Sequence, residues 1–230
     1  MLQLHFRYLL SRFNIITILV IISLYIGSLI ISLFSVPLEL STKLAREMHF
    51  YNLISIVKLV VILLIVFLFS LSALPSNDSY QLYLLNKRKD RIKYYVTKIT
   101  ALILISSIII IILFVCFVVF GLVFTDWYII EIDHIKFFGY LLTISIMYGL
   151  LSYNLIKLLN SLIVMLIPSL IVLLEEAFVN EKFINYLSYL FPIIEKNEEI
   201  SLSYGLIHVI ILICCYFILG LIKNYTIDIK

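Results

Sequence analysis

Six apolar runs alternate with short polar segments along the 230 residues. Each is close to the ~20 helical residues that a bilayer core requires. They cover Asn14–Phe34, Leu53–Leu74, Ile99–Phe124, Phe137–Leu155, Leu158–Leu174 and Leu206–Ile222. Pro75 closes the second, the third is long enough to tilt, and Pro168 falls inside the fifth. Only Ile156 and Lys157 separate the fourth and fifth, which predicts a tight antiparallel hairpin. The pattern predicts an all-α polytopic membrane protein with six transmembrane helices in one domain.

Two further segments are apolar without being long enough to span. In Leu2–Phe13, apolar residues including Phe6 can share one face, with Arg7 and Arg12 at its polar edge. That suits an amphipathic helix lying in the membrane interface. Residues 175–203 are too apolar for a solvated loop and too often charged for a span, and Pro192 breaks them. They read as short helices dipping into the outer leaflet, covered there by protein or a water-filled cavity.

Composition agrees: 63% of the residues are hydrophobic, against roughly 45–50% in soluble chains. The run from Asn14 to Phe34 is of full spanning length, which predicts a retained anchor and not a cleaved leader. Charge then sets the topology. Lys87, Arg88, Lys89, Arg91, Lys93 and Lys98 crowd the segment between the second and third spans. Positive charge is retained on the cytoplasmic side, so this segment and both termini are expected there. Arg7, Arg12, Lys157, Lys223 and Lys230 then fall on the same side. Lys43, Arg46, Lys136, Lys182 and Lys196 fall outside, and Lys58 lies in a span.

Candidate chemistry is sparse. The chain has no G-x-x-x-x-G-K-[ST] loop for nucleotide phosphates and no H-E-x-x-H metal pair. His5, His49, His134 and His208 belong to different segments, and no metal site is expected. Cys116, Cys214 and Cys215 read as small apolar side chains. Asn154 and Asn160 sit near helix ends, where polar groups are ordinary. Lys58 either snorkels to the interface or faces an internal cavity, paired with Glu175 or Glu176. Those glutamates, with His208, could activate water. The pair resembles the glutamate-type CAAX-processing membrane proteases, but that signature continues with an Arg where this chain has Ala177 to Asn180. The simpler reading is that they end a helix at the outer interface.

A second resemblance covers essentially the whole chain. Tyr83-Leu84-Leu85-Asn86-Lys87-Arg88, then Lys93-Tyr94-Tyr95-Val96-Thr97-Lys98 entering the third span, is similar to the cytoplasmic coupling segment of ABC-2 type permeases. Leu187-Ser188-Tyr189-Leu190-Phe191-Pro192 resembles their outer re-entrant element. The small size is most similar to bacterial peptide-exporting and bacteriocin-immunity members, including phenol-soluble-modulin exporter permeases. The resemblance implies two permease subunits, as a homo- or heterodimer, each docked on a separate ATPase that binds ATP and Mg. Tyr83, Leu84, Asn86, Lys87, Arg88, Lys89 and Arg91 would meet that ATPase, braced by the helix carrying Phe6, Arg7 and Arg12. No cofactor is expected in this chain itself, and no nucleic acid. The cargo expected of a path lined by Leu, Ile, Phe and Tyr is an amphipathic peptide, an antibiotic or another apolar compound. A stand-alone immunity protein acting by binding is the alternative.

Overall fold

The computed structural model describes residues 12–34, 42–74, 88–125, 129–159, 161–177 and 202–226. They are almost entirely helical, with no strand among them. The expected interfacial helix up to Ser11, the positions of Phe6, Arg7, Tyr83, Leu84, Asn86 and Lys87, and the outer region from Phe178 to Ser201 lie outside the described residues.

In chain order, α1 covers Arg12–Phe34, α2 Thr42–Ala73, α3 Arg88–Phe124 and α4 Ile132–Leu159. A 3-10 turn, Leu162–Met165, leads into α5, Leu166–Ala177, and α6 covers Leu202–Thr226. Helices suit so apolar a chain because they satisfy every backbone N–H and C=O within the segment. Three of them are long and apolar enough to cross a bilayer: Lys89–Phe124, Ile132–Leu159 and Leu206–Thr226. Shorter apolar stretches occupy Ile18–Ser32 in α1 and Val60–Ala73 in α2.

Several helices outrun the apolar runs that announced them. α2 starts by Thr42 and not near Leu53, and α3 is helical from Arg88 and not only from Ile99. Ile156 and Lys157, expected between two helices, lie inside α4, and the helical run ends at Leu159. Ser161 is extended, with φ −131° and ψ 132°. The fifth segment is a 3-10 turn followed by a 12-residue α-helix, only about 18 Å long at 1.5 Å per residue. Pro168 falls in the first turn of α5, where a missing N–H breaks no bond within the helix.

α2 is the axis of the bundle. Every position from Val61 to Leu74 is buried or half-buried. Its most extensive partner is α4, and the two approach through small residues. Ser70 Oγ lies 2.6 Å from Ser152 Oγ, and Phe69 covers Gly149, where a Cβ would stand 2.7 Å from Phe69 Cδ2. In a bilayer, such close approach gains van der Waals contact, the main force available between apolar helices. The outer surface is apolar as well. Leu104, Ile108, Ile111, Val115, Val119 and Leu122 form one exposed stripe of α3, while Leu102, Ile109, Leu113 and Phe117 turn inward. α6 is more exposed still, with Ile207, Ile211, Ile218 and Ile222 open. Apolar stripes this long on the outside are what a helix facing lipid presents.

Candidate functional site

The segment with the most charge, Arg88–Lys98, is the first three turns of the described part of α3. Helical spacing sorts its side chains. Lys89 and Lys93, four apart, are exposed. Arg91, Tyr94, Tyr95 and Lys98 face the protein, with Arg91 at 6% exposure and Lys98 at 4%. The helix thus offers two free-standing ammonium groups to its surroundings and holds two further cations against its neighbours.

Lys98 is the most constrained of these. Its Nζ donates to the carbonyl of Ser72, one residue before the end of α2. The same ammonium lies 5.7 Å from the Tyr94 ring centroid and 5.6 Å from that of Tyr153. A cation at a helix C-terminus meets the negative end of the helix dipole, and aromatic faces add attraction to a buried ammonium. The site holds a positive charge inside the protein between a main-chain carbonyl and two aromatic rings.

Three residues earlier, at Tyr95, α3 is tied to α6. The Tyr95 hydroxyl donates to the carbonyl of Phe217 at 3.3 Å, and its ring packs on Tyr153 and Phe217. α4 makes a parallel connection: Asn154 Nδ2 donates to the carbonyl of Tyr216 at 2.7 Å. Lys223 returns the contact by donating to the carbonyl of Lys157. Gly220 makes this possible. A Cβ there would fall 2.0 Å from Tyr95 Oη and 2.9 Å from Asn154 Oδ1, so only a bare backbone lets α6 come this near. The result is a junction in which α2, α3, α4 and α6 are fastened through side chains bonded to main-chain carbonyls.

Of the expected site residues, Arg88, Lys89 and Arg91 lie together on this end of α3, and Arg12 is on α1. Lys58 is buried at 5% exposure. Glu175 and Glu176 lie near the end of α5, with side chains outside the described residues, so their pairing with Lys58 lies there too. Among the described residues no group of three or more His, Cys, Asp or Glu is placed to hold a metal. Cys214 and Cys215 are exposed and Cys116 is half-buried, all three free thiols. The roles of Tyr95, Asn154 and Gly220 were missed in the sequence. Asn154 carried a signal: five residues from the end of α4, an amide on an otherwise apolar face requires a partner.

The helices, their lipid-facing stripes and this junction define a helical membrane protein. The chain matches no protein-family model, and no curated protein matches it.

Proposed function

We propose that this chain is the membrane-spanning permease subunit of an ATP-driven exporter of the ABC-2 type. It works as one of a pair, each member docked on a separate ATPase that binds ATP and Mg. It sits in a bacterial cytoplasmic membrane with both termini inside, and its cargo is a hydrophobic or amphipathic peptide, an antibiotic or a related apolar compound.

The observation that carries this reading is the continuity of α3. One helix of 37 residues runs from Arg88 to Phe124, about 55 Å at 1.5 Å per residue. A bilayer core takes up only about 30 Å of that. The remainder is a basic extension with Lys89 and Lys93 exposed and with Tyr95 and Lys98 joined to α6 and α2. A soluble partner pressing on the exposed lysines acts directly on a helix that crosses the membrane and on two of its neighbours. That is the mechanical requirement of a transporter powered from outside its own chain.

Purification in mild detergent from the native host, with co-eluting proteins identified, tests the reading. A stoichiometric partner carrying a nucleotide-binding loop is expected. Recovery of the chain alone, even after cross-linking, overturns it in favour of an immunity protein that acts by binding.

A further inference from the structure

At the Lys98 end of the bundle, α4 and α6 finish side by side, and each carries a lysine in its last turn, Lys157 and Lys223. Both helices are long and apolar enough to cross a bilayer. At 28 and 25 residues they measure about 42 and 38 Å, more than the ~30 Å of the hydrocarbon core. Their last turns therefore reach the headgroup layer. A lone lysine at that depth extends its ammonium outward to water. Lys223 instead turns toward α4, where its Nζ donates to the main-chain carbonyl of Lys157, and both residues are half-buried. The two side chains converge on one corner, close enough for their charges to act on one another.

Magnitudes show what such a corner favours. Each helix C-terminus brings roughly half a negative charge, so two of them leave about one net positive charge on the lysine pair. An ammonium has three hydrogens to give, and the Lys157 carbonyl takes one of those on Lys223. The bond that holds Lys223 in place therefore does not use up its nitrogen. Below the pair the surface is apolar. On the face of α6 that carries Lys223, Leu219 and Cys215 are exposed, flanked by Ile218 and Ile222. Leu219 and Cys215 lie four and eight residues back, about 6 and 12 Å deeper in the membrane. Lys89 and Lys93 of α3 add exposed positive charge at this end. Among the described residues the carboxylate here is Asp90, half-buried in the first turn of α3. Asp228 follows α6 outside the described residues.

We propose that the corner formed by Lys157 and Lys223 binds one anionic phospholipid, whose phosphate accepts from both ammonium groups and whose acyl chains lie along Leu219 and Cys215. A phosphodiester with a single negative charge matches the net charge of the corner. A zwitterionic lipid matches it less well, because its own cationic group is brought toward the lysines. A lipid fits better than a free anion, because the pair stands at the head of an exposed apolar stripe. Basic groups between membrane helices at headgroup level recognise anionic lipids in this way. Bound there, the lipid bridges α4 and α6 just beyond the Asn154 bond to the Tyr216 carbonyl and adds to the fastening of the two helices.

Native mass spectrometry of the whole protein, released from detergent with defined lipids added, tests this. With phosphatidylglycerol and phosphatidylcholine of the same acyl chains in equal amount, the wild type is expected to retain phosphatidylglycerol about tenfold more. Lys157→Gln with Lys223→Gln is expected to bring that ratio close to parity, and Lys223→Arg to preserve it. If the double variant does not assemble, Lys157→Gln alone is expected to lower the ratio about threefold or more. Lys43→Gln with Lys136→Gln removes two charges from the other end and is expected to leave the ratio unchanged. Glycerol 3-phosphate in large excess is expected not to displace the lipid. Equal retention of both lipids by the wild type overturns the site, including the case where a preference emerges only in Asp228→Asn and the chain's own carboxylate is the occupant. An undiminished preference in the lysine variants overturns it too, as does an equal loss in the Lys43 and Lys136 variant, or displacement by glycerol 3-phosphate.

Discussion

The two ends of the bundle are fastened by different chemistry. At the basic end, Lys98, Tyr95, Asn154 and Lys223 each donate to a main-chain carbonyl of a neighbouring helix. At the other end, the helices meet through rings, Phe50, Phe117 and Phe137 with His49 and His134, and through the hydroxyls of Ser32 and Tyr25. The first set rests on single donors aimed at carbonyl oxygens, whereas the second includes imidazoles, the side chains that change charge near neutrality. The first end is held by directional bonds to main-chain carbonyls, the second mainly by ring packing.

The largest effect is expected where the basic end admits no extra atom. Gly220→Val forces Tyr95 and Asn154 away from α6 and costs two hydrogen bonds as well as packing. A loss of about 3 kcal/mol or more is expected, seen as failure to recover monodisperse protein or a sharp fall in thermal midpoint in detergent. A Gly220→Val protein as stable as wild type contradicts the close approach of α6. Next is acidification. A buried neutral histidine must charge as pH falls. His49 therefore contributes stability that is fully present above about 6.5, its unfolded value, and is lost progressively as pH drops toward about 4. A shift of that size corresponds to about 3 kcal/mol at most. The thermal midpoint is expected to fall across this window in the wild type and to fall less in His49→Gln.

A smaller loss, about 1–3 kcal/mol, is expected for Lys98→Met, which keeps the stem but leaves the Ser72 carbonyl at the end of α2 without its cation. Partial recovery in Lys98→Arg separates the charge from the packing, and equal midpoints for both variants and wild type remove the clamp from the account. The smallest effect on stability, within about 0.5 kcal/mol, is expected for Lys89→Glu with Lys93→Glu, both exposed, because surface charges contribute little. Under the transport reading the same pair abolishes stimulation of the partner ATPase. Unchanged midpoint together with unchanged stimulation excludes docking at these two residues.

Much of the helical plan was legible in hydropathy. The ends of the expected runs at Phe34, Leu74 and Phe124 agree with helices that close at Phe34, Ala73 and Phe124. Starts were less legible, because hydropathy marks where lipid begins, while a helix continues as long as its backbone bonds are made. Hence Thr42–Asn52 and Arg88–Lys98 are helical although they are not apolar. The basic segment was visible as a charge cluster, but its division into exposed Lys89 and Lys93 and buried Arg91 and Lys98 follows from what packs beside it. The paired histidines were legible in part. His49 precedes the second apolar run by four residues and His134 the fourth by three. In the structure α2 and α4 bring both rings to the same Phe117. Which ring lies between them is decided by α3, and no local pattern supplies that.

The unbroken course of α3 has a mechanical consequence. Treated as a stiff rod, it has a fulcrum at Lys98, where it is pinned to α2. Ten residues lie on the short arm back to Arg88 and 26 on the long arm out to Phe124, about 15 and 39 Å at 1.5 Å per residue. A 2 Å push on the short arm then swings the far tip by about 5 Å, and Phe117, between the two histidines, travels nearly four. A small displacement among the lysines is thereby amplified into separation at the aromatic end, with no residue along the rod needing to change its own conformation.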